Sequence, residues 1–448
     1  MIDTQYDVIV AGLGCAGFSA AVASARAGLR TLALEQDSMP GGILTVGGNN
    51  DIAQFWAHGK QIISGIGWEF VRRLEAEGGA EIPDMLRHGM PHDYYGVHVN
   101  IPQAAALMDE MLLESGVAVA YGQPLCEVRH GKQDGVETVT GVRYLTKTGM
   151  RDAGASLFID CTGDGMLAYL AGADFELGEK TEGGTVLQPG TVRYFLPPRR
   201  LTQLEEARLT EVLRQETESG RLKAADTLGY SFSVLNRYQG NNLNHISGFN
   251  CADSDEKTLA DMEGRRCVAR IIRALRTAGI DPGVEMISSE TAPRETRRIL
   301  CDGYITAGDY IAARRYPDGV CNSFYPIDLH RDGMNGIHQI FLKEGQVPQI
   351  PLSAMTVRGF RNLMVAGRCA SGDRLANSAY RVKASCMAMG QACGAAAAIM
   401  IRHGLDDIRR CPIGEIRHLL VDSGAIVPDE TENHTERCEN KKQKGEQT

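Results

Sequence analysis

Tyr325, Asp328 and His330 fall within the six-residue segment YPIDLH. If that segment is extended, Asp328 and His330 point to the same side, and a carboxylate that orients an imidazole makes an acid/base pair. An aspartate next to a histidine also serves as a plain surface or interface contact. Upstream, PRETRRI crowds Arg294, Arg297 and Arg298 together. In an extended chain Arg294 and Arg298 share a face and Arg297 points away, whereas on a helix all three cluster. Either geometry brings a guanidinium into a cleft, where it could hold an oxyanion through paired hydrogen bonds. The alternative is a structural ion-pair network, for which Glu290, Glu295 and Asp302 are at hand. Arg294, Arg298, Tyr325 and His330 are therefore the candidate catalytic residues. His98, on the alternating run YYGVHVNIP, and Arg381 stand in reserve.

Such residues need a partner that does the harder chemistry, and the start of the chain supplies a place for one. A short apolar run, Tyr6 to Ala11, leads into Gly12-Leu13-Gly14-Cys15-Ala16-Gly17. Helix formers follow from Phe18 to Ala27, closed by Gly28, and a second strand, Thr31 to Leu34, ends at Glu35. In this context Gly12 permits the tight turn and Gly14 lets backbone approach a pyrophosphate. Gly17 lets helix and strand pack closely, the helix N-terminus faces the anion, and Cys15 and Ala16 in the turn are expected to bind the cofactor. Glu35 is placed to accept hydrogen bonds from a ribose hydroxyl and disfavours a 2′-phosphate, so the expected cofactor is FAD or NAD, not NADP. Directly after it, MPGGILTVGG carries Gly41, Gly42 and Thr45. This is either backbone laid against a flat or anionic ligand or an ordinary flexible loop.

Two later segments repeat the strand-then-turn pattern. Leu157 to Asp160 runs into Thr162-Gly163-Asp164-Gly165 and an alanine-rich helix ending at Gly172; Asn362 to Ala366 runs into Gly367-Arg368. A long small-residue helix, RVKASCMAMGQACGAAAAIMI, then starts near Ser385. The dinucleotide domain is thus expected to be assembled from both ends of the chain, with something else inserted between.

With GLGCAG, GGILT, DCTGDGMLAYLAGA, LQPGT, PRETRRI, FYPIDLH and NLMVAGRCASGD…YRV…CMAMGQACGAAAA in this order, the chain resembles FAD-dependent oxidoreductases of the glutathione-reductase-like superfamily. The fumarate-reductase-type flavoproteins belong to the same group. The resemblance implies FAD bound in extended form, with adenosine near Gly12 to Glu35 and isoalloxazine near the last motif. There Ala384 and Ser385 would open a helix whose positive end stabilises reduced flavin. One departure is Gly367-Arg368, where many members have Gly-Asp or Gly-Glu; Asp373 would take over that contact. The expected fold is α/β, a Rossmann-like FAD-binding domain from residues 1–180 and 336–427 with an α+β substrate or cap domain at 181–335. The expected activity is hydride transfer between flavin N5 and a small molecule, with an unidentified electron donor or acceptor. A flavin monooxygenase, a non-catalytic FAD-binding protein and an NAD dehydrogenase are the rivals.

Composition narrows the rest. A formal charge of −9 over 448 residues disfavours nucleic-acid binding. No charge-free apolar stretch reads as long enough to span a membrane, and the first residues form no signal pattern. A soluble, cytoplasmic protein is therefore expected, in which twelve cysteines without a Cys-x-x-Cys pair argue against an iron–sulfur or zinc site and for small reduced core residues, with no metal expected and homo-oligomerisation left open. The polar segment 428–448 is expected to be a disordered tail.

Overall fold

The computed structural model describes residues 4–87, 89–197, 201–228, 244–331 and 336–428. In it the first apolar run forms strand β1 (Gln5–Ala11), whose last four residues are buried as a central parallel strand requires. Helix α1 (Cys15–Arg26) leads to β2 (Thr31–Leu34), buried along its whole length, and β3 (Ala118–Ala120) follows. A long antiparallel meander comes next: β4 (Leu125–Gln133), β5 (Val136–Thr146) and β6 (Gly149–Asp160). The sheet runs β3-β2-β1-β6-β5-β4, and a strand from the far end of the chain, Leu363–Val365, also pairs with β6. β1 is parallel to β2 through Ala11–Leu34 and to β6 through Ala11–Asp160. The chain leaves β1 toward one side and β6 arrives on the other, so the ends of β1 and β6 flank a topological switch point, where α/β sheets open a ligand crevice.

The middle of the chain builds its own apolar cluster. Helix α2 (Gln203–Glu218) opens with a Thr202/Glu205 capping box. Helix α3 (Ser254–Thr277) is capped by Asp253, which accepts the Asp255 and Glu256 N–H groups. Both pack with Val192, Tyr194, Ile246 and Ile280. Beyond this cluster, β7 (Arg297–Ile299) pairs with Phe175–Leu177, and β8 (Ile327–His330) forms a hairpin with β9 (Ile337–Ile340).

Helices α4 (Arg374–Tyr380) and α5 (Lys383–Arg402) follow, and α5 packs on α1. A Cβ on Gly390 would lie on the Ala16 carbonyl, and one on Gly394 would lie 2.6 Å from the Ala23 Cβ. These glycines serve the close α1–α5 packing. The absence of a span-length apolar stretch is also corrected: the 20-residue α5 is long and apolar enough to cross a membrane. It is nonetheless 89% buried inside the protein, because it is the helix on which α1 packs. The expected tail lies, beyond Pro428, outside the described residues.

Candidate active site

A cleft of about 590 Å³ opens at the carboxyl ends of β1, β2, β6 and the Leu363–Val365 strand. That volume falls in the range of ~300–1,000 Å³ typical of ligand sites. At one end it is lined by Gly12, Gly14, Cys15 and Ala16, by Glu35, and by Gly41 and Gly42. Gly12 has φ +85°, and a Cβ there would lie 2.7 Å from the Cys161 carbonyl oxygen. Gly14 is different: a Cβ would meet nothing within 4 Å, since that side faces the open cleft. Gly14 is also the N-cap of α1 and offers no side chain to its first N–H groups. Gly41 bridges to Gly14, and a Cβ on Gly42 would lie 3.1 Å from Gly14 Cα, so the two glycine segments form one bare cradle.

Glu35 accepts the Leu13 N–H at 2.6 Å and the Asp37 N–H at 3.0 Å. A carboxylate has about four acceptor sites, so two backbone bonds leave it capacity for ribose hydroxyls. Burial raises its carboxyl above the usual range, against those two N–H groups. Thr162 and Gly163 line the next stretch of the cleft with Asp164, which accepts from Arg368 at 2.7 Å. Gly367 and Arg368 both line it, and Arg368 donates further to Thr296 at 2.6 Å.

Several expected cofactor residues lie elsewhere. Gly17 does not line the cleft; a Cβ on it would sit on the Gly12 carbonyl, so it tightens the turn. Thr45 donates to the Pro40 carbonyl at 2.5 Å and shapes the loop from behind. Helix α5 begins at Lys383, two residues before the expected start, so Val382 and Lys383 reach the cleft in place of Ala384 and Ser385. Ala384 donates its N–H to the Ala53 carbonyl, and Ser385 Oγ pairs with Ser323 Oγ at 2.9 Å. Asp373 caps α4, accepting the Ala376 and Ala307 N–H groups at 2.8 and 2.6 Å, and takes no part in the cleft.

At the other end Arg294, Tyr325, Asp328, His330, Arg381 and Lys383 converge. The arginine segment behaves differently from either expected geometry. The strand begins only at Arg297, so Arg294 shares no alternation with Arg298. Arg294 and Arg297 line the cleft; Arg298 is turned away and buried. Arg298 pairs with Glu295 at 2.6 Å and with Glu176 at 3.2 Å, and Glu295 also binds Arg374. That is the structural network, so the catalytic expectation for Arg298 is overturned. Burial, with Arg381 adding to it, pushes Arg294 down to about 9.

β8 carries Asp328 and His330 on one side, His330 Nε2 donating to Asp328 Oδ2 at 3.1 Å. Burial opposes charge on Asp328, but His330 and Arg381 outweigh it and hold the carboxyl well below the usual range. Burial and Arg294 push His330 down to about 4. Burial, then Asp328 and Asp51, push Tyr325 well up, so its hydroxyl remains a proton donor. His98 lies outside the cleft, 3.8 Å from Asp51.

Three contributors were missed or held in reserve. Arg381 donates to Gln188 Oε1 and to the Asp328 carbonyl, each at 3.3 Å, and makes no ion pair among the described residues; its Nε has no partner there. Lys383 donates to the Asp51 carbonyl at 2.6 Å. The cationic pair ahead of an apolar helix, YRVKAS, was the available signal for both. His245, 2.9 Å from His330, had none, since no motif surrounds it.

A cradle of glycines at a sheet's switch point, opposite a cluster of cations and an acid/base pair, defines a dinucleotide-dependent enzyme fold. The chain belongs to the FAD-dependent oxidoreductase family, whose sequence profile matches residues 7–420. No curated protein matches it. Among solved structures, it is similar to the anhydrotetracycline hydroxylase OxyS from Streptomyces rimosus at 13% identity and a TM-score of 0.41, over 94% of this chain and 66% of that one. It is also similar to a geranylgeranyl bacteriochlorophyll reductase-like protein from Thermoplasma acidophilum at 10% identity and a TM-score of 0.42, over 93% and 83%. Its cofactor is FAD, and the residues fit: the open side of Gly14, the uncapped first turn of α1 and the spare acceptor sites of Glu35 match a pyrophosphate and a ribose.

Proposed function

We propose that the protein dehydrogenates, or in reverse reduces, a C–C or C–heteroatom bond of a small anionic molecule, with FAD supplying hydride chemistry at N5. Arg381 carries the reading. It is a cation at the cleft whose described partners are neutral oxygens, and burial lowers its hold on a proton. Asp328 and Glu295 offset part of the cost of burying that charge, but neither pairs with it directly, so a bound anion would stabilise it further. With Arg294 it would fix a substrate oxyanion in place. Tyr325, kept protonated, would give the proton, and the Asp328–His330 pair would hold charge balance beside it.

The parallel sheet and its switch point support membership of the glutathione-reductase-like superfamily. The separate apolar cluster of the middle segment supports reading residues 181–335 as the substrate domain. Free cysteines throughout the described residues fit a reducing compartment such as the cytoplasm.

The test is anaerobic mixing of the flavin-loaded protein with a panel of small organic anions and their neutral analogues. Anions should bleach the flavin absorbance, and Arg381→Met should lose that response while keeping its flavin. Bleaching by neutral analogues alone would overturn the anion assignment. Hydroxylated product formed with oxygen and a nicotinamide donor would put a monooxygenase in its place.

A further inference from the structure

His245 and His330 are 85 positions apart in the chain and 2.9 Å apart in space, Nε2 of the first facing Nδ1 of the second. His330 Nε2 faces Asp328 Oδ2 at 3.1 Å. The hydrogens in this chain follow from its end. An ionised carboxylate only accepts, so His330 Nε2 carries a hydrogen. A neutral His330 then has its lone pair on Nδ1, and the hydrogen between the rings belongs to His245 Nε2. The remaining lone pair sits on His245 Nδ1. His245 is 3% exposed, and that atom makes no hydrogen bond among the described residues. The backbone of Arg331 and the Asp328 carboxylate favour a proton on this ring, while burial, Arg294 and His330 oppose it.

We propose that His245, His330 and Asp328 form a one-proton relay, loaded at His245 Nδ1, that delivers positive charge to His330 at the cleft. Loading breaks an O–H bond of a solvent hydronium, which leaves as water, and forms an N–H bond at His245 Nδ1. The hydrogen on His245 Nε2 crosses to His330 Nδ1, and the His330 Nε2–H stays on Asp328. One proton is gained, no electrons move, and His245 ends neutral with its hydrogen on the other nitrogen. His245 is thus a positioning residue that acts through His330.

The surroundings set when the relay fills. Arg294, ahead of β7, and Arg381, between α4 and α5, oppose charge on His330, while Asp328 on β8 favours it. Arg294 also opposes charge on His245. Gln188 holds the His330 backbone N–H at 3.2 Å and also accepts from Arg381, tying the strand to that arginine. A hydride transfer to or from a carbon bonded to oxygen or nitrogen moves one proton as well, and the relay holds that number. The relay goes beyond the redox reading and does not depend on it, because its test needs no substrate.

That test is nitrogen-15 histidine NMR of the purified flavin-loaded protein, titrated downward through the histidine range. At one shared midpoint His330 should become doubly protonated while His245 moves its hydrogen from Nε2 to Nδ1 without gaining charge. His245→Gln keeps a donor to His330 Nδ1 and removes the loading atom, so the His330 midpoint should fall by about one pH unit or more. If that variant does not fold, Asp328→Asn removes the counter-charge and should lower the shared midpoint. The proposal is overturned if His245 itself becomes the imidazolium, if the rings titrate at separate midpoints, or if neither variant moves the His330 midpoint.

Discussion

A Cβ at Gly14 meets no protein atom within 4 Å, whereas one at Gly12 or Gly17 collides with backbone. One motif therefore yields two outcomes. Gly14→Val should fold with near-normal thermal stability and purify without flavin, because only the pyrophosphate competes for that space. Gly17→Val should lower the melting temperature outright. Equal flavin content in Gly14→Val and the parent would break the assignment of the cradle. Glu35→Ala should weaken FAD binding by about 1.5–3 kcal/mol for each ribose hydrogen bond lost, read as flavin retention on dilution. The arginines divide in the same way. Arg294→Met should keep flavin and fold while losing about 100- to 1,000-fold in turnover, the usual worth of one oxyanion contact. Arg298→Met leaves Glu295, 2% exposed, with one cation fewer and should cost about 3 kcal/mol of stability in urea denaturation.

Packing of α1 against α5 decides where the N–H groups of Cys15 and Ala16 point. Because a Cβ on Gly390 would lie on the Ala16 carbonyl, Gly390→Ala should push the helices apart. Overpacking of this kind costs about 1–3 kcal/mol, and it should lower flavin stoichiometry in parallel with the melting temperature. A variant that lost stability and kept full flavin would separate the two helices' roles. At this scale the sequence was readable where geometry is local. The spacing of Asp328 and His330 predicts a shared face because strand alternation links residues two apart, and β8 is a strand. The same rule fails for Arg294 and Arg298, since alternation holds only within an element and β7 starts between them. The contact of His245 with His330 was illegible: it depends on how the middle segment folds back on the hairpin, and no local pattern encodes that.

For the molecule as a whole, the buried histidines make folding sensitive to acid. Burial lowers the proton affinity of both His245 and His330 in the folded state, while the unfolded chain titrates near the ordinary histidine value of about 6.5. Below that value the unfolded state binds protons that the native state refuses. Stability should therefore be fully present above pH ~6.5 and fall with decreasing pH toward ~4, by up to about 1.4 kcal/mol per pH unit for each proton. Asp328, whose carboxyl is held low, adds loss of the same sign in stronger acid. Urea titrations across that range should show the slope, and the double variant His245→Gln, His330→Gln should flatten it.

The cofactor cleft joins the loop after β1 to Arg368 and Lys383, and the sheet is finished by Leu363–Val365. On the ribosome the loop after β1 emerges well before Leu363–Val365, Arg368 and Lys383. Until α5 is made, α1 waits as an apolar helix without the partner that later covers it, and the pyrophosphate cradle has only one wall. FAD capture thus waits for α5, and a nascent chain stalled before α5 would leave the ribosome colourless, with the face of α1 that α5 covers still exposed.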